Sequence, residues 1–240
     1  METFDRTILR KAQETVLRAF SGAAKTFALA GGTALELFYL HHRFSADLDF
    51  FSPDYDRAEI DKLVSILGKQ TGNGIRLESE FIAAGKAKVR FYTMPVKGSN
   101  RPLKIDFVED VVIKSPAIAA IKGTRVYSAE NIYLHKIAAI AGLPQGIDDV
   151  GREIAQGRNE ARDVFDLYML SKKIQPLPAF LKTVPPFWQR GMVHWYRRFS
   201  RQGLKLALLD LNIYDPQFNS RDMIVYLESE IKQFMQEVIE

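Results

Sequence analysis

Apolar residues in the first twenty positions fall at Phe4, Ile8, Leu9, Val16, Leu17 and Phe20, with charges between them. This spacing predicts an amphipathic helix over residues 3–20. The period then shortens. Residues 26–30 form a brief apolar strand, Gly31-Gly32 makes a turn, and residues 33–42 return to a helical pattern. A second strand follows, in which Asp47 and Asp49 alternate with Leu48 and Phe50. Ser52-Pro53-Asp54 has turn chemistry, and residues 57–70 read as a helix ended by Thr71-Gly72-Asn73-Gly74.

Three strand-like runs come next, at 76–84, 86–96 and 102–108. They are separated by Gly85 and by Lys97-Gly98-Ser99-Asn100, which predicts two consecutive hairpins. In the third run Leu103, Ile105 and Phe107 share one face, and Lys104, Asp106 and Val108 share the other. Residues 111–127 are transitional, with a short strand at 123–127. Ser128 is placed as the N-cap of a helix reaching about residue 141, with Glu130 in its first turn. Residues 144–157, including Asp148 and Asp149, read as a loop. Residues 158–173 read as a helix whose three- and four-residue spacings gather Arg162, Asp163 and Asp166 on one side. Pro176, Pro178, Pro185 and Pro186 break the remainder into short helices, and a helix at 221–240 caps the fold. The expected architecture is α/β (α+β), with a small mixed sheet and packed helices followed by a mostly helical C-terminal half. The expected domains are 1–120 and 121–240.

Composition narrows the chemistry. At 240 residues, 47% hydrophobic and 26% charged, the chain has ordinary globular proportions. No apolar run approaches the ~18 residues of a membrane span, and the N-terminus lacks a signal-peptide core, so a cytoplasmic protein without a membrane partner is expected. The absence of cysteine excludes disulfides, thiolate catalysis and cysteine-bound zinc. Of the four histidines, His41, His42, His135 and His194, the adjacent pair would point about 100° apart on a helix and chelate poorly. Both read as helix-end residues. A net charge of +4 permits a nucleic-acid partner without requiring one.

Asp47 and Asp49 share a strand face at roughly 7 Å between Cα atoms, a repulsive pair that calls for a divalent cation. The helix that begins at Gly31-Gly32 leaves its first N–H groups without intrahelical partners, and such groups suit a phosphate. Either feature alone is commonly a solvated strand end or a tight turn; their order and spacing make a coherent pair. Lys136 is the one formal charge between Glu130 and Asp148 and has Ile132, Tyr133, Ala139 and Ile140 as helical neighbours. Its ammonium either snorkels to solvent or reaches phosphate. Residues 188–205 carry Arg190, Arg197, Arg198, Arg201 and Lys205 with no acidic residue, interleaved with Trp188, Trp195, Tyr196 and Phe199. That is an RNA-binding surface or a helix with aromatics packed inward and arginines in water.

The order of glycine-rich turn, helix and D-x-D resembles the nucleotidyltransferase signature of the DNA polymerase β superfamily. The string GGTAL…RFSADLDFF is similar to the AbiEii/AbiGii toxin family, and the resemblance covers residues 27–170. It implies a nucleotidyltransferase-type sheet and transfer of a nucleotide from a nucleoside triphosphate to an acceptor hydroxyl, with release of pyrophosphate. It also implies RNA as acceptor, notably the 3′ end of tRNA, a cognate antitoxin as partner, and a two-ion Mg²⁺ site, with Mn²⁺ as the alternative metal. By the same resemblance Asp47 and Asp49 hold metal against the triphosphate. Asp106 supplies the third carboxylate, with Glu109 and Asp110 as fallbacks that look more like turn residues. Gly31, Gly32, Thr33 and Ser45 contact phosphate oxygens. Lys136, in an h-x-x-K-x-x-A helix, offsets triphosphate charge. ARDVFDLYML matches the motif R-D-h-h-D-L, which places Asp163, with Arg162, beside the site, and Lys136 and Asp163 are expected to face the carboxylates. Thr33 departs from the serine of many superfamily members but keeps the hydroxyl. Three other readings remain: an antibiotic-type small-molecule nucleotidyltransferase, a non-catalytic nucleotide-binding module, and a partner-sequestering protein using 188–205. Acceptor preference separates the first, and intact Asp47, Asp49 and Asp106 weigh against the second.

Overall fold

Alternation along the strands decides the architecture. In chain order the computed structural model, which describes residues 6–83, 86–147 and 153–239, contains α1 (Arg6–Phe20), β1 (Ala28–Ala30), and α2 (Gly31–Ala34), which runs on as a π-helical segment (Leu35–Leu40). Then come β2 (Leu48–Ser52), α3 (Arg57–Thr71), β3 (Arg76–Phe81), β4 (Val89–Met94), β5 (Leu103–Glu109), β6 (Ile118–Ile121) and β7 (Thr124–Tyr127). The chain continues through α4 (Ala129–Ala141), β8 (Leu143–Ile147), β9 (Glu153–Gln156), α5 (Ala161–Lys173), α6 (Leu177–Leu181), α7 (Pro186–Arg198), α8 (Arg201–Leu208) and α9 (Ser220–Ile239). Expectations that involve Phe4, Gly85, Asp148, Asp149 or Glu240 fall outside the described residues.

Two compact units result. One comprises the described residues of Met1–Tyr39 with Phe44–Asn131, the other Leu40–Arg43 with Ile132–Glu240. The first is built on a seven-stranded sheet in the order β3-β4-β5-β2-β1-β7-β6. It is mixed, because β2 pairs in parallel with β5 and β1 with β7 while the other pairs are antiparallel. The two expected hairpins are β3–β4 and β4–β5. Phe107 anchors the core, with Phe27, Phe50 and Tyr92 at ring separations of 5.3, 5.5 and 5.9 Å. Phe20, at the end of the buried stripe of α1, lies 5.1 Å from Phe50. With Leu48, Phe50, Ile105 and Phe107 buried, the period of two sends Asp49 and Asp106 to the opposite face, where both are half-exposed.

The second unit is mainly helical. Val164, Phe165, Leu167 and Leu170 of α5 are buried, Tyr133 stacks on Phe180 at 4.0 Å, and Trp195 stacks on Phe199 at 4.6 Å. Prolines open the first turns of α6 and α7, where a missing N–H costs nothing. None of the described helices is long and apolar enough to cross a membrane.

Local capping agrees with the sequence at several ends. Asp56 accepts from the Ala58 and Glu59 amides to start α3, Gly72 ends it at φ 62°, and the Ser128 hydroxyl accepts from the Asn131 amide at 3.2 Å. Three features differ. The helix after β1 begins at Gly31, widens from Leu35 and closes at His41, whose φ is 46°. β6 has no hydrophobic alternation and exists through its pairing with β7. Residues 144–157, expected as a loop, hold most of the antiparallel pair β8–β9; its register shift between Pro144 and Gly146 absorbs residues that read as strand breakers.

Candidate active site

In the first unit the glycine turn and the D-x-D strand meet directly. Ala30 is the register partner of Asp49 across β1 and β2, and the next residue, Gly31, has φ 66°. A Cβ at Gly31 would sit 2.5 Å from Asp49 Oδ2, so the carboxylate occupies the space any larger residue needs. On its other side Asp49 pairs in register with Asp106 of β5. Register partners on neighbouring parallel strands share a face at about 4.8 Å. Asp47, one residue before β2, is also half-exposed.

The backbone leading to Asp47 is clamped. Gln13 Nε2 donates to the carbonyls of Ser45 (2.9 Å) and Ala46 (3.0 Å), and the Ser45 amide donates to Glu36 Oε2 at 2.8 Å. Glu36 in turn pairs with Arg10, whose guanidinium lies 5.0 Å over the Phe44 ring. The Thr33 hydroxyl is fully buried and donates to the Asp47 carbonyl. Thr33 and Ser45 were expected to reach phosphate through their side chains; in this arrangement Thr33 orders the approach to Asp47, and Ser45 is 8% exposed. Ala30 supplies no side-chain cap for the first amides of the helical run, at Gly31 and Gly32. Glu109 pairs with Lys88 at 2.8 Å, and Asp110 Oδ1 accepts from the Val112 and Ile113 amides, so both fallback carboxylates serve the strand end.

The donor set suits a hard cation. Among the described residues no group of three or more His, Cys, Asp or Glu side chains converges to hold a metal by itself. Mg²⁺ keeps several waters and is bound by one or two carboxylates together with substrate phosphates. Asp49 and Asp106, with Asp47 nearby, therefore fit an ion that arrives with a triphosphate.

The second unit gathers Lys136, Asp163 and Asp166 in its interior. Lys136 is 5% exposed and neither snorkels nor stands alone: Nζ lies 2.7 Å from Asp163 Oδ1 and 2.8 Å from Asp166 Oδ2. Arg43 clamps Asp166 with Nε and Nη2 at 2.7 Å each, and His42 Nε2 donates to it at 2.7 Å. Arg158 pairs with Asp163 at 2.6 Å. Burial pushes the Asp166 carboxyl up, but Lys136 and Arg43 outweigh it and hold the group well below the usual carboxylate range. Asp163 is lowered in the same way, burial opposing Lys136 and Arg158. Arg162, grouped with these aspartates by spacing, is exposed. Arg43 and His42 were not singled out as partners because they lie 123 and 124 residues from Asp166. Gln13 did carry a signal, as the polar residue on the apolar stripe of α1.

The basic aromatic segment divides as an amphipathic helix does. Trp195 and Phe199 are buried, Trp188 Nε1 donates to the Gly142 carbonyl at 3.0 Å, and Arg201 pairs with Glu228. Arg190, Arg197 and Arg198 are exposed.

Two solved structures share the fold over nearly the whole chain. One is a candidate nucleotidyltransferase from H. pylori, 19% identical, with TM-score 0.59, covering 100% of this chain and 99% of that one. The other is JHP933 from Helicobacter pylori, 20% identical, with TM-score 0.59, covering 97% and 92%. Among curated proteins none matches in sequence. The family model for the nucleotidyl transferase AbiEii toxin of type IV toxin–antitoxin systems spans residues 15–232, and the chain belongs to this family of nucleotidyltransferases.

Proposed function

We propose that this nucleotidyltransferase moves a nucleoside monophosphate from a nucleoside triphosphate to the 3′ hydroxyl of tRNA in an Mg²⁺-dependent reaction. The observation that carries the reading is the register match of Asp49 and Asp106 with Gly31 packed against Asp49. The acceptor hydroxyl releases its proton to solvent as its oxygen attacks the α-phosphorus, the bond from that phosphorus to the bridging oxygen of the β-phosphate breaks, and pyrophosphate leaves. Mg²⁺, or Mn²⁺ in its place, would neutralise phosphate oxygens and make the acceptor hydroxyl more acidic.

In this scheme Asp47, Asp49 and Asp106 would hold the metal, and Asp106 would also orient the acceptor hydroxyl. The Gly31 and Gly32 amides receive phosphate oxygens, while Thr33 and Ser45 keep Asp47 in place. Lys136 stays paired with Asp163 and Asp166 in the interior of the second unit. Arg43, Lys136 and Arg158 against Asp163 and Asp166 leave that cluster one positive charge in excess. Type IV membership makes a cognate antitoxin the proposed protein partner, and a cytoplasmic location is part of the same proposal.

The test is incubation of the protein with total tRNA, Mg²⁺ and each of the four labelled triphosphates in turn, beside Asp49→Ala. Label entering tRNA from one or two triphosphates, and absent with Asp49→Ala, is the expected result. Label in a small hydroxylated compound instead of tRNA would overturn the acceptor assignment, and incorporation undiminished in Asp49→Ala would overturn the site.

A further inference from the structure

Beside the buried cluster of the second unit lies a cavity of about 390 Å³, lined among others by His41, His42, Phe165, Tyr168, Lys172 and Phe218. This volume falls within the range of small-molecule sites. Its walls are aromatic: Phe165 and Phe218 meet edge to face at 5.1 Å, and Tyr168 lies 6.5 Å from Phe218. His42 stacks on Phe165 at 5.5 Å. Its Nε2 donates to the ionised Asp166, which leaves Nδ1 as the second ring nitrogen. That Nδ1 is buried and, among the described residues, has no hydrogen-bond partner. That nitrogen has no accessible surface, so it stays out of reach of anything held in the cavity.

The lining carries both signs of charge. Lys172 and Lys173 are exposed cations, with Lys172 Nζ 3.1 Å from the Tyr168 hydroxyl and 5.2 Å from its ring centre. Asp215 and Asp222 supply carboxylates elsewhere around the opening. Aromatic faces take a flat heterocycle, lysines take phosphate, and carboxylates take sugar hydroxyls. An inorganic anion would use only the lysines, and an apolar ligand only the rings.

We propose that this cavity binds a nucleoside monophosphate unit, with the base against Tyr168 and Phe218 and the phosphate at Lys172 and Lys173. Lys172 is nine residues beyond Asp163 on α5, or about 14 Å along the helix axis, so the lysines lie away from the Lys136–Asp163 pair, while His42 in the lining bonds to Asp166. Free nucleotide and a nucleotide of an RNA strand present the same chemistry. The proposal stands independently of the transfer reaction.

Calorimetric titration of the full chain, in chelator to silence metal-dependent triphosphate binding, with AMP, CMP, GMP, UMP and a single-stranded hexaribonucleotide tests it. At least one probe should bind saturably, and equally in Asp49→Ala. Binding should weaken about tenfold or more in the double variant Lys172→Glu/Lys173→Glu and in Tyr168→Leu. Mononucleotide binding identifies free nucleotide as a source, and binding by the oligomer alone identifies RNA. Absence of binding by every probe overturns the proposal. So does binding that the lysine reversal leaves unchanged, whether or not Tyr168→Leu folds, because both lysines are exposed.

Discussion

At the scale of single residues, Gly31 and Asp166 show how much one position can hold. Gly31 meets two demands at once, a left-handed φ of 66° and the absence of a Cβ where Asp49 Oδ2 lies. Gly22 has φ 71° but nothing within 4 Å of its would-be Cβ. Each alanine substitution should cost roughly 1–2 kcal/mol of backbone strain. Gly31→Ala should in addition abolish nucleotide transfer, whereas Gly22→Ala keeps it; paired melts and transfer assays separate the two effects. Asp166 is buried under Arg43, Lys136 and His42, and Asp166→Asn leaves buried cations uncompensated, at an expected cost of about 3–5 kcal/mol in denaturant unfolding. Asp163 and Asp166 have folded pKa values depressed below the unfolded value of about 3.9. Their stabilisation is therefore complete above the unfolded pKa and is lost as pH falls through the lower folded values. Stability of the wild type should drop steeply below about pH 4, and Asp166→Asn should show a shallower drop in the same window.

Elements here owe their form to different balances of local and distant forces. β2 and β5 could be read from alternation because each buries one face and leaves a half-exposed carboxylate on the other. β6 could not, since Ile118–Ile121 has an exposed centre and is a strand only because β7 pairs with it. The loop that joins them, Lys122-Gly123, has φ 51° and 81°, a two-residue hairpin turn with both residues left-handed. That turn favours Asn-Gly. Lys122→Asn should raise stability by roughly 0.5–1 kcal/mol without altering transfer, measurable as a higher denaturant midpoint at unchanged slope.

For the molecule as a whole, binding of metal and nucleotide should be linked. The described carboxylates do not form a group of three or more that grips an ion alone, so Mg²⁺ by itself should move the thermal midpoint little. Triphosphate with Mg²⁺ at about a hundred times its Kd should add roughly 2.7 kcal/mol of stability, or about 5–10 °C for a chain of this size. Chelator should remove that gain in the wild type, and Asp49→Ala should not show it. A metal-only shift equal to the full one would mean a preformed cage and would overturn the reading of Mg²⁺ as an ion that arrives with its substrate.

The sequence by itself determined which face each carboxylate takes. Leu48 and Phe50, like Ile105 and Phe107, must be buried, and a period of two leaves no choice for Asp49 and Asp106. It also determined where a turn and a cap lie, at Gly72 and Ser128, and which chemistries are closed to a chain without cysteine. Only the tertiary structure decided that β2 and β5 are parallel neighbours in one register, which makes two separate aspartates into a pair. It likewise decided that Gln13 and Glu36 hold the backbone before Asp47, and that Arg43 and His42 are the partners of Asp166. Local periodicity reports the direction a side chain faces, because that depends on a residue and its neighbours in sequence. Which group it meets depends on how distant segments share a core, and no local pattern carries that information.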